Sequence, residues 1–201
     1  YRLNEAVKCP TQALKRAARI GVLIHEEAAF SETAEKEAML VVSYGAADEA
    51  AYEASLAAVM DAIAEEHPGV TVTQAFTSEA MIRRFESNTG IRLPRPEEAL
   101  EGLASQGFTR VAMVSLDFFP GIDYSLLTAI FQAYRPRFKK LVLGTPLMYW
   151  MAQEEQRDDV ADFVAALYET LPMPQAGEAV LLMGHVTPHP SNAYYAVLQD
   201  R

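Results

Sequence analysis

"MLVVSYGAADEAAYEASLAAVMDAIAEEHPG", residues 39–69, decides the fold. It opens on an apolar, β-branched run that stops at Tyr44-Gly45, where glycine permits a sharp exit. Leu56, Val59, Met60 and Ile63 then recur at helical spacing, and Pro68-Gly69 closes the segment. The stretch reads as strand, loop, helix.

The same unit repeats along the chain. "VTVTQAF" (70–76) predicts a strand, and "SEAMIRRFESNTG" (78–90) a helix with Ser78 as N-cap and Gly90 as its stop. "PRPEEALEGLASQG" (94–107) predicts a helix with Pro96 in its first turn. "FTRVAMVSLDFF" (108–119) and "KKLVLGTPL" (139–147) are strand-like, and "GIDYSLLTAIFQAYRPRF" (121–138) between them is helical. "EEQRDDVADFVAALYETL" (154–171) reads as an acidic amphipathic helix, "AVLLMGH" (179–185) as a strand, and "SNAYYAVLQ" (191–199) as a helix. Such alternation predicts an α/β fold with a parallel four-stranded sheet flanked by helices. The linker "PMPQAGE" (172–178) divides it, giving an α/β domain over 39–171 and the start of a second over 178–201. Residues 1–38 are expected to form an N-terminal helical segment and linker.

Composition narrows the function classes. A net charge of -10 argues against nucleic acid, whose phosphates demand clustered Lys and Arg. No apolar run approaches the roughly 20 residues of a membrane span, so no membrane-spanning segment is expected. The start of the chain has no basic-then-apolar signal sequence. The expected location is the cytoplasm, with the periplasm after signal removal as the alternative. The lone Cys9 excludes an internal disulfide and a cysteine-based zinc cluster, leaving metal ligation to His and carboxylates.

In open parallel sheets, ligands bind beyond the carboxyl ends of the strands. The residues expected on that rim are Ser43-Tyr44-Gly45, Phe76-Thr77-Ser78, Leu116-Asp117-Phe118, Thr145-Pro146-Leu147 and Gly184-His185. His185 at a strand end suits a metal ligand; the plainer alternative is a neutral histidine satisfied by backbone groups. Its companion His189 lies between Pro188 and Pro190 without helical spacing, which weakens it as a ligand. Asp117 is suited to binding a cation or accepting a proton, or to capping the turn into Pro120-Gly121. Ser43, Tyr44, Thr77 and Ser78 offer neutral hydrogen bonds. Phe118, Phe119, Tyr124, Met148, Tyr149 and Trp150 make the rim aromatic, for packing or for a flat apolar ligand. Arg92 and Arg95, beside two glutamates, read as a solvated face. Cys9, His25 and His67 have no evident chemistry.

Five stretches together resemble the anaerobic, CbiK-type (class II) sirohydrochlorin cobaltochelatases: "MLVVSYGA", "QAFTSEAMIRRF", "GIRLPRPEEALEGLASQGFTRVAMVSLDFFPGIDY", "LGTPLMY" and "VLLMGHVTPHPSNAYYAVLQ". They cover about 39–199 in order. The resemblance implies two similar α/β domains around a cleft. It also implies an ATP-independent lyase that inserts Co2+, with Fe2+ or Ni2+ as other divalent candidates, into sirohydrochlorin on the way to cobalamin. It puts the family's metal-binding histidine on His185 and the second histidine of that loop on His189. Asp117 stands where the family's "LHxxPG" has histidine, "SYGA" where it has "SFGT", and Val186 where "GHG" has its second glycine. Ser43, Tyr44, Phe118, Phe119 and Tyr124 would face the tetrapyrrole. The family's further metal ligands, a glutamate and a histidine, come from a second domain. Two other readings stay open: a chelatase-like domain that carries metal or haem without insertion, and a half-chelatase that completes its cleft as a homo-oligomer.

Overall fold

The computed structural model describes residues 35–152, 157–172, 174–185 and 188–201. Four parallel strands, β1 (Glu37–Ser43), β2 (Thr71–Phe76), β3 (Arg110–Ser115) and β4 (Lys140–Leu143), form one sheet in the order β2-β1-β3-β4. β1 is central, so both of its faces are covered. Ala38, Leu40 and Val42 turn to one face, beneath α4 (Pro96–Ser105) and α5 (Ile122–Tyr134). Met39 and Val41 turn to the other, against Val59 and Ile63. This two-sided burial explains why the strand reads as a continuous apolar run and not as an alternation.

The first crossover runs through α1 (Glu49–Tyr52), a π-helical stretch (Glu53–Ala57) and α2 (Ala58–Glu66). Asp48 caps its start, the carboxylate accepting from the Ala51 amide at 2.9 Å. α3 (Glu79–Thr89) begins at Ser78, whose Oγ accepts from the Met81 amide, and ends at Gly90 in the left-handed conformation. α4 has Pro96 in its first turn, as its sequence predicts.

Gly45 is the tightest point of the β1 exit. Its φ is +113°, and a Cβ there would lie 2.7 Å from Phe76 Cδ2 and 2.9 Å from Met81 Cβ. Both the backbone region and the space exclude a side chain. Gly45→Ala is therefore expected to cost roughly 2–5 kcal/mol, strain and overpacking together. A denaturant midpoint equal to that of the unsubstituted protein would contradict this.

Three expectations need correction. β1 begins at Glu37, so Glu37 and Ala38 belong to the sheet and not to the leader; Ala38 is in register with Thr71 and Val111. Ladder pairing overrides the polar composition around them. The rest of the leader up to residue 34, with Cys9 and His25, lies outside the described residues.

The acidic helix is shorter than its periodicity suggests. α6 spans Asp159–Tyr168, and the Asp158 side chain caps it by accepting from the Ala161 amide. Residues 153–156 lie outside the described residues.

Residues 179–185 form no strand. Leu181 and Met183 are 91% and 96% exposed. An apolar run becomes a strand only where a neighbouring strand takes up its N–H and C=O groups in a ladder, and no strand among the described residues pairs with this run. The helix expected within the start of a second domain, α7 (Ala193–Asp200), packs onto the four-stranded unit. Tyr194 joins Met148 and Val160 in a buried cluster, and Arg201 pairs with Asp158 at 2.9 Å.

Candidate functional site

The order β2-β1-β3-β4 reverses direction after β2, so the crossovers leave β1 and β3 on opposite sides. A crevice opens at such a switch point, beyond the carboxyl ends of the two strands. Ser43-Tyr44 end β1 there, and Leu116-Asp117-Phe118 follow β3.

Backbone bonds hold this rim together. The Thr77 amide donates to Ser43 O at 2.8 Å, the Ser78 amide to Tyr44 O at 3.3 Å, and the Leu116 amide to Val42 O at 2.8 Å. The β4–α6 loop is joined to the β3–α5 loop in the same way, Leu147 N to Asp117 O at 2.9 Å and Met148 N to Phe118 O at 2.7 Å. Four of the five expected strand ends thus share one stitched edge.

Asp117 is the group with the most chemistry. Burial at the strand end penalises its charged form and pushes its carboxyl up to about 6; Asp123 in the first turn of α5 adds to the rise. Ser115 opposes the shift, its Oγ–H donating to Asp117 Oδ2 at 2.7 Å, while the Asp117 amide donates to Ser115 Oγ at 3.2 Å. The result is a fixed carboxylate that exchanges a proton near neutrality.

Its neighbours divide into exposed and buried. Tyr44 and Phe118 are 54% and 48% exposed, available to a flat ligand. Ser43 is buried. Phe119 packs inward, its ring stacked on Tyr194 with centroids 5.6 Å apart. Tyr124 donates its hydroxyl to Gly144 O at 3.3 Å and meets the Tyr149 ring. Burial pushes its phenol up to about 12, so it is a neutral donor and not a base at pH 7.

The two histidines lie in the segment before α7. His185 is exposed. His189 caps the turn Pro190–Asn192, its Nδ1 accepting from the Ser191 amide at 3.2 Å, which commits that nitrogen to the loop. Among the described residues, no three His, Cys, Asp or Glu side chains converge as a metal site.

One buried group escaped the sequence reading. Asp159, 1% exposed, accepts from the Tyr149 and Trp150 amides at 2.9 and 2.8 Å and pairs with Arg157 Nε at 2.7 Å. Arg157 in turn donates to Thr145 Oγ1 at 3.2 Å. This carboxylate holds the β4–α6 loop in place behind the rim. The doubled Asp158-Asp159 at a helix start was its one visible signal, and capping absorbs only the first.

The family model described as cobalt chelatase (CbiK) matches residues 37–201. The chain belongs to the CbiK family. A sirohydrochlorin cobaltochelatase from Salmonella typhimurium is 34% identical over 163 residues, which are 81% of this chain and 60% of that protein. The sirohydrochlorin cobaltochelatase CbiKC of Nitratidesulfovibrio vulgaris is 31% identical over 166 residues, 81% of this chain and 56% of that one. The chain therefore spans less than two thirds of the length of these curated relatives. The solved structure of SirB from Bacillus subtilis with Fe3+ is similar in fold, with a TM-score of 0.51 at 14% identity, covering 79% of this chain and 54% of SirB. No helix among the described residues is long and apolar enough to cross a membrane.

Proposed function

We propose that this CbiK-family chain takes part in ATP-independent insertion of Co2+ into sirohydrochlorin, the metal-insertion step that leads to cobalamin. The observation that carries the reading is Asp117, a partly buried carboxylate at the switch point with its pKa raised to about 6. Insertion replaces two pyrrolic N–H protons with one divalent ion, so the site needs a base that is free near pH 7 and sheds each proton to solvent. Histidine supplies such a base at an unperturbed pKa of about 6.5. At this position the chain resembles a family whose members have histidine, and burial brings its aspartate to nearly the same value. The base changes chemically while its poise is kept.

The remaining roles follow from position. Tyr44 and Phe118 lie against the macrocycle, Ser43 and Tyr124 give neutral polar contacts beside it, and Phe119 supports that wall from within. His185 delivers Co2+: neutral imidazole binds this borderline ion and releases it to the stronger macrocyclic chelator. His189 serves the loop. The helix after His189 packs onto the same four-stranded unit, so the second wall of the cleft comes from elsewhere, and Fe2+ and Ni2+ are the competing metals.

A second reading has its own support. With no three-residue metal group among the described residues, and Val180 to Met183 exposed, the site draws ligands from outside this set. They come from a further domain or from a second copy of the chain; without either, the protein carries a tetrapyrrole and does not metallate it. Incubation with sirohydrochlorin and Co2+ under anaerobic conditions, followed by macrocycle absorbance, separates the two. Insertion faster than the uncatalysed rate supports the chelatase. A spectrum that shifts on binding and then changes only at the uncatalysed rate supports the carrier.

A further inference from the structure

His185 ends a segment that has no strand ladder to fix it, and the four residues Val180 to Met183 before Gly184 are all exposed. One side chain nevertheless grips its peptide from both sides. The Tyr195 hydroxyl accepts from the His185 amide at 2.9 Å and donates to the His185 carbonyl at 2.7 Å. Both groups belong to the same residue, so the phenol fixes its orientation as well as its place.

Gly184 makes the grip possible. A Cβ there would fall 2.3 Å from Tyr195 Cε1 and 2.9 Å from its hydroxyl oxygen, so the ring occupies the space any other residue would fill. The close approach that a glycine permits here is made by the protein's own Tyr195.

Tyr195 is also tied to the rim. Its ring meets Phe119 edge to face with centroids 5.2 Å apart, and Phe119 is two residues beyond Asp117. The neighbouring Tyr194 stacks on the same phenylalanine and donates its hydroxyl to Tyr149 O at 3.1 Å. α7 thus clamps the histidine segment to the loop that carries Asp117.

We propose that Tyr195 is a positioning residue that sets His185 against the Asp117 rim, so that the metal donor and the proton acceptor act on one macrocycle. This rests on the reading of His185 as the Co2+ donor. Outer groups that orient a ligand are typically worth 10–100-fold in metal affinity.

Tyr195→Phe tests it, because the ring, the Gly184 contact and the Phe119 contact remain while both hydrogen bonds go. Hydrogen exchange at the His185 amide is measured in the full chain, together with Co2+ titrations that follow the contact-shifted imidazole protons of His185. The expected result is a protected amide that loses its protection in the variant, a Co2+ affinity about tenfold weaker, and an unchanged melting temperature. An unprotected His185 amide in the unsubstituted protein, or a variant with the same exchange and the same Co2+ affinity, overturns the proposal. His185→Ala run in parallel isolates the reading beneath it. If that substitution leaves Co2+ binding unchanged, His185 is not the donor, and the exchange data still decide whether Tyr195 holds the peptide.

Discussion

Asp117→Asn is expected to raise the stability of the protein at pH 7 and to cut the proposed metal insertion sharply. The two effects have one origin. Burial raises the carboxyl from 3.8 to about 6, so above that pH the folded chain holds an ionised group that it solvates less well than water does. The folded state binds more protons than the unfolded state between about pH 4 and about pH 6, and stability falls as pH rises through that window. Each pKa unit corresponds to about 1.4 kcal/mol, and partial exposure reduces the total, leaving a burden of roughly 1–2 kcal/mol. Asparagine is neutral, and its amide oxygen can still accept from Ser115. The variant should match the unsubstituted protein near pH 4 and melt roughly 2–8 °C higher at pH 7, while its insertion rate falls by about 10²–10⁴-fold, the usual worth of a positioned base. Equal melting temperatures at pH 7, or full activity, would refute this role for Asp117. A carboxylate kept at a cost to the fold is a common mark of a working site.

His185→Ala acts the opposite way. The side chain is exposed and its peptide is held through Tyr195, so truncation should move stability by no more than about 0.5 kcal/mol. The protein's affinity for Co2+ should fall at least tenfold, because one imidazole is a large share of the proposed site when no three candidate ligands converge among the described residues. Isothermal titration with Co2+ and a thermal melt on the same sample check both halves. Loss of stability with unchanged affinity would make His185 a structural residue.

The sheet was legible because β1 is buried on both faces, and a continuous apolar run ending at a glycine has few other readings. The caps at Ser78 and Gly90 and the proline of α4 were equally plain, since each acts through its own few residues. The strand-end rule led to Ser43, Tyr44 and Asp117 without any knowledge of pairing. Residues 179–185 misled for a physical reason: β-propensity describes a side chain that fits a half-buried pleat, and it says nothing about whether a partner strand is present. Asp159 was hidden because periodicity counts every charge as outward-facing, whereas two amides and a guanidinium make this one stable inside. Tyr195 could not be read at all. Its hydroxyl meets a backbone ten residues away across a loop, and only Gly184 hinted that something must come close. The poise of Asp117 likewise depends on burial, which a strand-end residue does not reveal in one dimension.

The most direct measurement is the pH dependence of Co2+ insertion into sirohydrochlorin. A rate above the uncatalysed one that rises to a plateau with an apparent pKa near 6, and that Asp117→Asn removes, is the predicted result. A profile that follows the uncatalysed reaction across pH, or one that Asp117→Asn leaves intact, would contradict it.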